Sequence, residues 1–140
     1  LHDLLTRDLT APASGKRSPS HLHPRFIEDF AATGHEGVAK LLQRIIQRPE
    51  VEPFTVQTCV VLLGKMKCVD AARRIQELYR ENKSGAFGRV PNPGFRRRVV
   101  DAVVEILGPG SAEFLREVDR TESDVGLRKR LDDLRKEIRF

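Results

Sequence analysis

Tryptophan is absent from this 140-residue chain, tyrosine occurs once, at Tyr79, and cysteine twice, at Cys59 and Cys68. Two cysteines do not make a disulfide framework. Both sit among apolar neighbours and read as small buried hydrophobes, so a reducing, cytoplasmic setting is expected. With aromatics at only 6%, the core must be built mainly of Leu, Val, Ile and Ala, which suits helix-on-helix packing. The longest apolar run, Cys59 to Leu63, falls far short of the ~18–20 residues a membrane span needs. The N-terminus lacks the charged-then-apolar layout of a secretory signal. The chain begins at Leu1 rather than Met and reads as a piece of a larger protein.

The usual chemical motifs are missing as well. No Gly-Lys-Ser/Thr occurs, and the glycine-rich stretches Gly85-Ala86-Phe87-Gly88 and Gly108-Pro109-Gly110 follow no strand, which argues against a phosphate-cradling loop. All four histidines, His2, His21, His23 and His35, precede the main helical region. No Ser or Cys stands in a nucleophile-elbow context. Cys59 lies in the most apolar segment, where a thiol is inert. His21 and His23, even with His35, supply too few ligands at too irregular a spacing for a zinc site. The acids Asp132-Asp133 and Asp119/Glu122/Asp124 alternate with Arg and Lys, and read as a solvated face. An enzyme is therefore not expected, and no cofactor or metal is implied.

What the chain has is helical periodicity. Residues 1–10 suit a short amphipathic helix, and residues 11–20, rich in Pro, Ser and Gly, read as linker. A helical repeat domain is expected over 21–140. A stripe at Phe26, Ile27 and Phe30 stops at Gly34. Val38, Leu41, Leu42, Ile45 and Ile46 follow at 3/4 spacing. A third helix, about Phe54 to Leu63, is apolar nearly all round and is expected to be buried on most sides, ending at Gly64. A fourth spans about Cys68 to Glu81, with Asp70 a candidate N-cap. Residues 82–94 read as a loop. A fifth helix, about Phe95 to Leu107, stops at Gly108-Pro109-Gly110. Ser111 is the expected N-cap of a sixth, and a seventh begins after Ser123 or Asp124. This last helix carries one narrow stripe, Leu127, Leu131, Leu134 and Ile138, as a terminal capping helix would.

Three helices end alike, at Thr33-Gly34, Leu63-Gly64 and Leu107-Gly108, with glycine spacings of 30 and 44. The pairs Val56/Val100, Val60/Val104 and Leu63/Leu107 match between the second and third units. Over residues 54–140, most clearly in Arg-Arg-Arg-Val-Val-Asp-Ala-Val-Val-Glu-Ile-Leu-Gly at 96–108, the chain resembles the HEAT-like repeat family. It departs from that family's pattern at Val60, Val103 and Ile106, where small Ala residues are common, and at Val99-Val100, where Val-Arg is common. The resemblance implies an all-α, right-handed stack of antiparallel helical hairpins, an α-solenoid of about three repeats plus a C-terminal cap. It also implies that the domain binds partners rather than performing chemistry.

The charge is unevenly placed. The net charge is +5, and from Asn82 to Val100 there is no acid, while Lys83, Arg89, Arg96, Arg97 and Arg98 are all present. A second acid-free stretch, Leu9 to Ile27, holds Lys16, Arg17 and Arg25. Exposed Arg beside Phe87 and Phe95 suits an acidic protein surface or phosphate groups. The plain alternative is that Phe95 packs inward and the arginines are ordinary surface charge. Arginines at a helix start oppose the helix dipole unless an acid or anion offsets them. Lys83, Phe87, Arg89, Arg96, Arg97 and Arg98 are thus the expected partner-binding residues of a non-catalytic interaction domain, the partner being another protein with an acidic surface. Nucleic acid is the alternative ligand, a HEAT-like enzyme domain a distant third, and weak self-association through an N-terminal edge is possible.

Overall fold

The computed structural model describes residues 37–140. The expected N-terminal helix, the linker, the helix around Phe26, the Thr33-Gly34 turn and the four histidines lie outside the described residues. Those described form six α-helices: α1 (Val38–Ile46), α2 (Pro53–Lys65), α3 (Ala72–Ser84), α4 (Pro93–Leu107), α5 (Ala112–Thr121) and α6 (Val125–Leu134). Short 3₁₀ turns at Val69–Ala71, Ala86–Gly88 and Gly108–Ser111 join them, and no strand occurs among the described residues. No helix among them is long and apolar enough to cross a membrane.

Helix α4 is the centre of the structure, packing on α2, α3 and α6. Its inward residues Val99, Val100, Val103 and Ile106 repeat at 3/4 spacing and are buried, as a core-facing stripe requires. Helix α2 is buried on several sides through Val56, Cys59, Val60 and Leu63, as its nearly all-apolar composition predicts. Consecutive contacts link α1 to α2, α2 to α4 and α4 to α6. Polar and aromatic ties link α1, α3 and α5: Arg74 Nε donates to the Ile46 carbonyl at 2.9 Å, and Tyr79 meets Phe114 edge-on at 5.6 Å. Arg80 grips Glu117 through two bonds of 2.7 Å.

The helix ends differ from expectation in instructive ways. Gly64 does not stop α2, which runs on to Lys65. A Cβ there would lie 3.0 Å from both the Cα and Cβ of Ala102, so this glycine permits close approach of α2 and α4. Gly108 does end α4, with φ at 53° and nothing near its missing side chain, so its role is conformational. Asp70 lies inside a 3₁₀ turn rather than capping α3, which begins at Ala72. The Ser111 hydroxyl donates back to the Gly108 carbonyl at 2.6 Å instead of capping α5. Asp124 caps α6, accepting from the Leu127 N–H at 2.9 Å. Helix α3 extends to Ser84 and α4 starts at Pro93, so the irregular stretch is shorter than 82–94. Asn92 caps α4 by accepting from the Phe95 N–H at 3.2 Å.

Candidate functional site

The expected cluster of cations is not assembled at the surface. Arg96 is only 5% exposed. Its Nε and Nη2 donate to the two oxygens of Glu122 at 2.8 and 3.0 Å, a bidentate pair, and its Nη1 donates to Asn82 Oδ1 at 3.1 Å. The acid that offsets this arginine at the start of α4 is therefore the chain's own, and Arg96 is not available as a surface anchor. Lys83 Nζ stands 3.8 Å from the same carboxylate. Arg89 directs Nη2 to the carbonyls of Pro49 and Val51, tying its loop to the segment before α2. Of the five expected cations, only Arg97 and Arg98 are exposed without an acidic partner among the described residues.

Glu122 corrects a second expectation, that Asp119, Glu122 and Asp124 share a solvated face. It is 4% exposed and accepts from Arg96, from the Tyr79 hydroxyl at 3.3 Å and from the Ser123 and Asp124 N–H groups at 3.1 Å each. Burial alone would push its carboxyl up, but Arg96, the Asp124 N–H and the Lys83 charge together hold it below the ordinary glutamate value of 4.5. Burial raises the Tyr79 hydroxyl to about 12, with the nearby Glu122 charge acting in the same direction against the Thr121 hydrogen bond. Every nitrogen of the Arg96 guanidinium and both oxygens of Glu122 take part in hydrogen bonds within this node, as a tolerable buried charge requires.

Beside it opens a groove of about 450 Å³, within the roughly 300–1,000 Å³ typical of ligand sites. Its apolar lining is Pro53 and Phe54 from α2, Leu78 from α3, Ala86, Phe87 and Val90 from the connecting loop, and Phe95 from α4. Phe54 is 57% exposed, Phe87 63% and Val90 83%. Phe95, by contrast, is buried. Phe87 has φ 59° and ψ 27°, a left-handed conformation that bulky residues seldom adopt. A strained backbone that presents an aromatic ring to solvent is a feature of binding sites rather than of plain connections.

The polar lining comprises Glu52, Gln57, Glu81, Asn82, Arg89 and Asn92. Glu81 is bonded to Arg74. Asn82 Oδ1 accepts from both the Asn92 N–H at 2.8 Å and Arg96, which fixes the orientation of its amide and turns the NH₂ away from both. The side-chain NH₂ groups of Gln57, Asn82 and Asn92 have no acceptor among the described residues. The Arg96–Glu122 node thus positions one wall of the groove. Burial raises the Cys59 thiol to about 12, so it is not a poised nucleophile. No group of three His, Cys, Asp or Glu able to hold a metal occurs among the described residues.

Of the six expected residues, Phe87 and Arg89 line the groove and Arg96 stands behind it; Lys83, Arg97 and Arg98 are not in its lining. Sequence reasoning missed Phe54, Val90, Gln57 and Asn92. One signal for Arg96 was available: with Val99, Val100 and Val103 it occupies the i, i+3, i+4, i+7 stripe that faces the core. No family model, no curated protein and no solved structure matches this chain.

Proposed function

We propose that this chain is a non-catalytic protein-interaction domain, an adaptor or regulatory module, that seats a short segment of another protein in the groove between α2 and the 85–92 loop. The observation that carries the reading is the pair of exposed rings, Phe54 and Phe87, flanking that groove, with Phe87 held in a left-handed backbone. Burying one such ring, or a partner side chain against it, contributes about 1.5–3 kcal/mol, the scale of an interface anchor. The lining is mostly apolar, and its two carboxylates and one guanidinium do not make it a polyanion site.

The HEAT-like stack belongs to this proposal. It is supported by contacts that run α2 to α4 to α6 and by ties that run α1 to α3 to α5. Free thiols at Cys59 and Cys68 accord with the cytoplasmic location read from the sequence. Nucleic-acid binding draws support from the exposed Arg97 and Arg98 and from Lys16, Arg17 and Arg25 of the N-terminal stretch, which lies outside the described residues, while Glu52 and Glu81 beside the groove would repel phosphate.

The test compares capture from lysate by three forms: the parent, Phe54→Ala/Phe87→Ala and Arg97→Ala/Arg98→Ala, each with and without nuclease. A protein captured by the parent, lost with the Phe pair, retained with the Arg pair and indifferent to nuclease is the expected result. Loss with the Arg pair or after nuclease treatment would replace the reading by nucleic-acid binding.

A further inference from the structure

The geometry points to a particular class of occupant for this groove: an extended peptide whose large apolar side chain is followed two residues later, on the same face, by a lysine or arginine. The inference rests on the groove reading above and adds what the groove selects. Its polar groups divide into three kinds. The NH₂ groups of Gln57, Asn82 and Asn92 are donors in need of acceptors, and the backbone carbonyls of an extended peptide supply them. Glu81 is already bonded to Arg74, and Arg89, the only cation of the lining, spends Nη2 on the Pro49 and Val51 carbonyls.

Arg89 keeps its positive charge, and Glu52 is the one charged group of the lining without a short polar contact. It is exposed, it precedes α2 without capping it, and its carboxylate receives only a long 3.5 Å contact from the Thr55 hydroxyl. No cation stands within ion-pair distance of it among the described residues. Glu52 adjoins Pro53 and Phe54 of the apolar lining, so a cation that pairs with it must lie on the same face of the peptide as the side chain that fills the groove, which in an extended chain is two residues along. A bound acidic peptide would place like charge against Glu52, and a neutral one would leave it unanswered. The apolar anchor therefore sets the affinity, and the neighbouring charge sets the preference. An exposed ion pair is weak, so the preference is about three- to fivefold at low ionic strength and fades with salt.

The experiment is an NMR titration of the ¹⁵N-labelled full chain with three capped hexapeptides, Ser-Gly-Phe-Gly-Lys-Ser, the same with Glu for Lys, and the same with Ala for Phe. The Lys peptide is expected to shift the side-chain NH₂ resonances of Gln57, Asn82 and Asn92, the Glu peptide to bind about three- to fivefold more weakly, and the Ala peptide to leave them unmoved. In Glu52→Lys, which removes no capping bond, the preference is expected to reverse. Equal binding of the Lys and Glu peptides, or a preference that survives Glu52→Lys, would overturn the inference while leaving the groove reading intact. Absence of shifts with all three would remove both.

Discussion

Arg96 carries a full charge into the interior at 5% exposure, while one loop earlier Phe87 holds its ring in solvent at 63%. The two residues invert the ordinary partition of polar outside and apolar inside, and the inversions have different causes. At Arg96 the buried charge is answered locally: Glu122 and Asn82 accept from it, and the backbone N–H groups of the α5–α6 corner donate in turn to Glu122. At Phe87 nothing within the described residues answers the exposed ring, and the backbone beneath it is strained. A polar group that is completely satisfied serves the fold. An apolar group left unsatisfied in a strained conformation is available to something else.

That contrast can be broken from either side. The largest effect is expected from Arg96→Ala, which takes from the buried Glu122 its bidentate partner, leaves it Lys83 at 3.8 Å as its cation, and should cost about 3–5 kcal/mol in urea denaturation. The double variant Arg96→Met/Glu122→Leu should recover most of that loss, since neither charge then remains. A cost no greater than that of an ordinary surface arginine would show the node to be dispensable.

Next comes acid sensitivity. The folded Glu122 carboxyl is held below 4.5, so its contribution is complete above that value and is lost as pH falls through the folded value. Glu117, held low by Arg80, and Asp119, held low by Arg135, act in the same direction. Comparing wild type with Glu122→Gln isolates the node. The variant should be less stable at neutral pH, and the gap should narrow below about pH 4 in thermal melts. A gap constant with pH would refute this account.

Smaller effects belong to the groove. Phe87→Gly relieves a left-handed non-glycine residue and should stabilise the chain by about 1 kcal/mol, while abolishing groove binding. Phe54→Ala should leave stability within about 0.5 kcal/mol of wild type. A stability loss above about 2 kcal/mol at either position would mean that these rings serve the core.

Most of the helical architecture was legible in the sequence, and the site largely was not. Apolar stripes such as Val38–Leu41–Leu42–Ile45–Ile46 identify α1 because 3.6-residue periodicity is a local signal. The repeated Leu-Gly was legible as a pattern, but it conflated two kinds of glycine. Gly64 exists for contact with Ala102 and Gly108 for its positive φ, and only neighbours remote in sequence distinguish them. Glu122 was hidden among exposed acids because its partner Arg96 lies 26 residues away. Of the phenylalanines near the groove, Phe95 is buried and Phe54 exposed. Both open a helix after a proline, so composition and spacing alone assign them the same role.

The reach of the Arg96–Glu122 pair also bears on how the chain can be divided. In an array of self-sufficient units, removing the last hairpin would shorten the molecule and leave the rest folded. Here a cut at the Gly108-Pro109-Gly110 turn would remove Glu122, leaving the buried Arg96 without its carboxylate, and would strip from α4 the cover that α6 gives it. The groove lining, residues 52 to 95, would remain, but beside a helix that had lost both of these supports. The C-terminal helices thus support the groove without lining it.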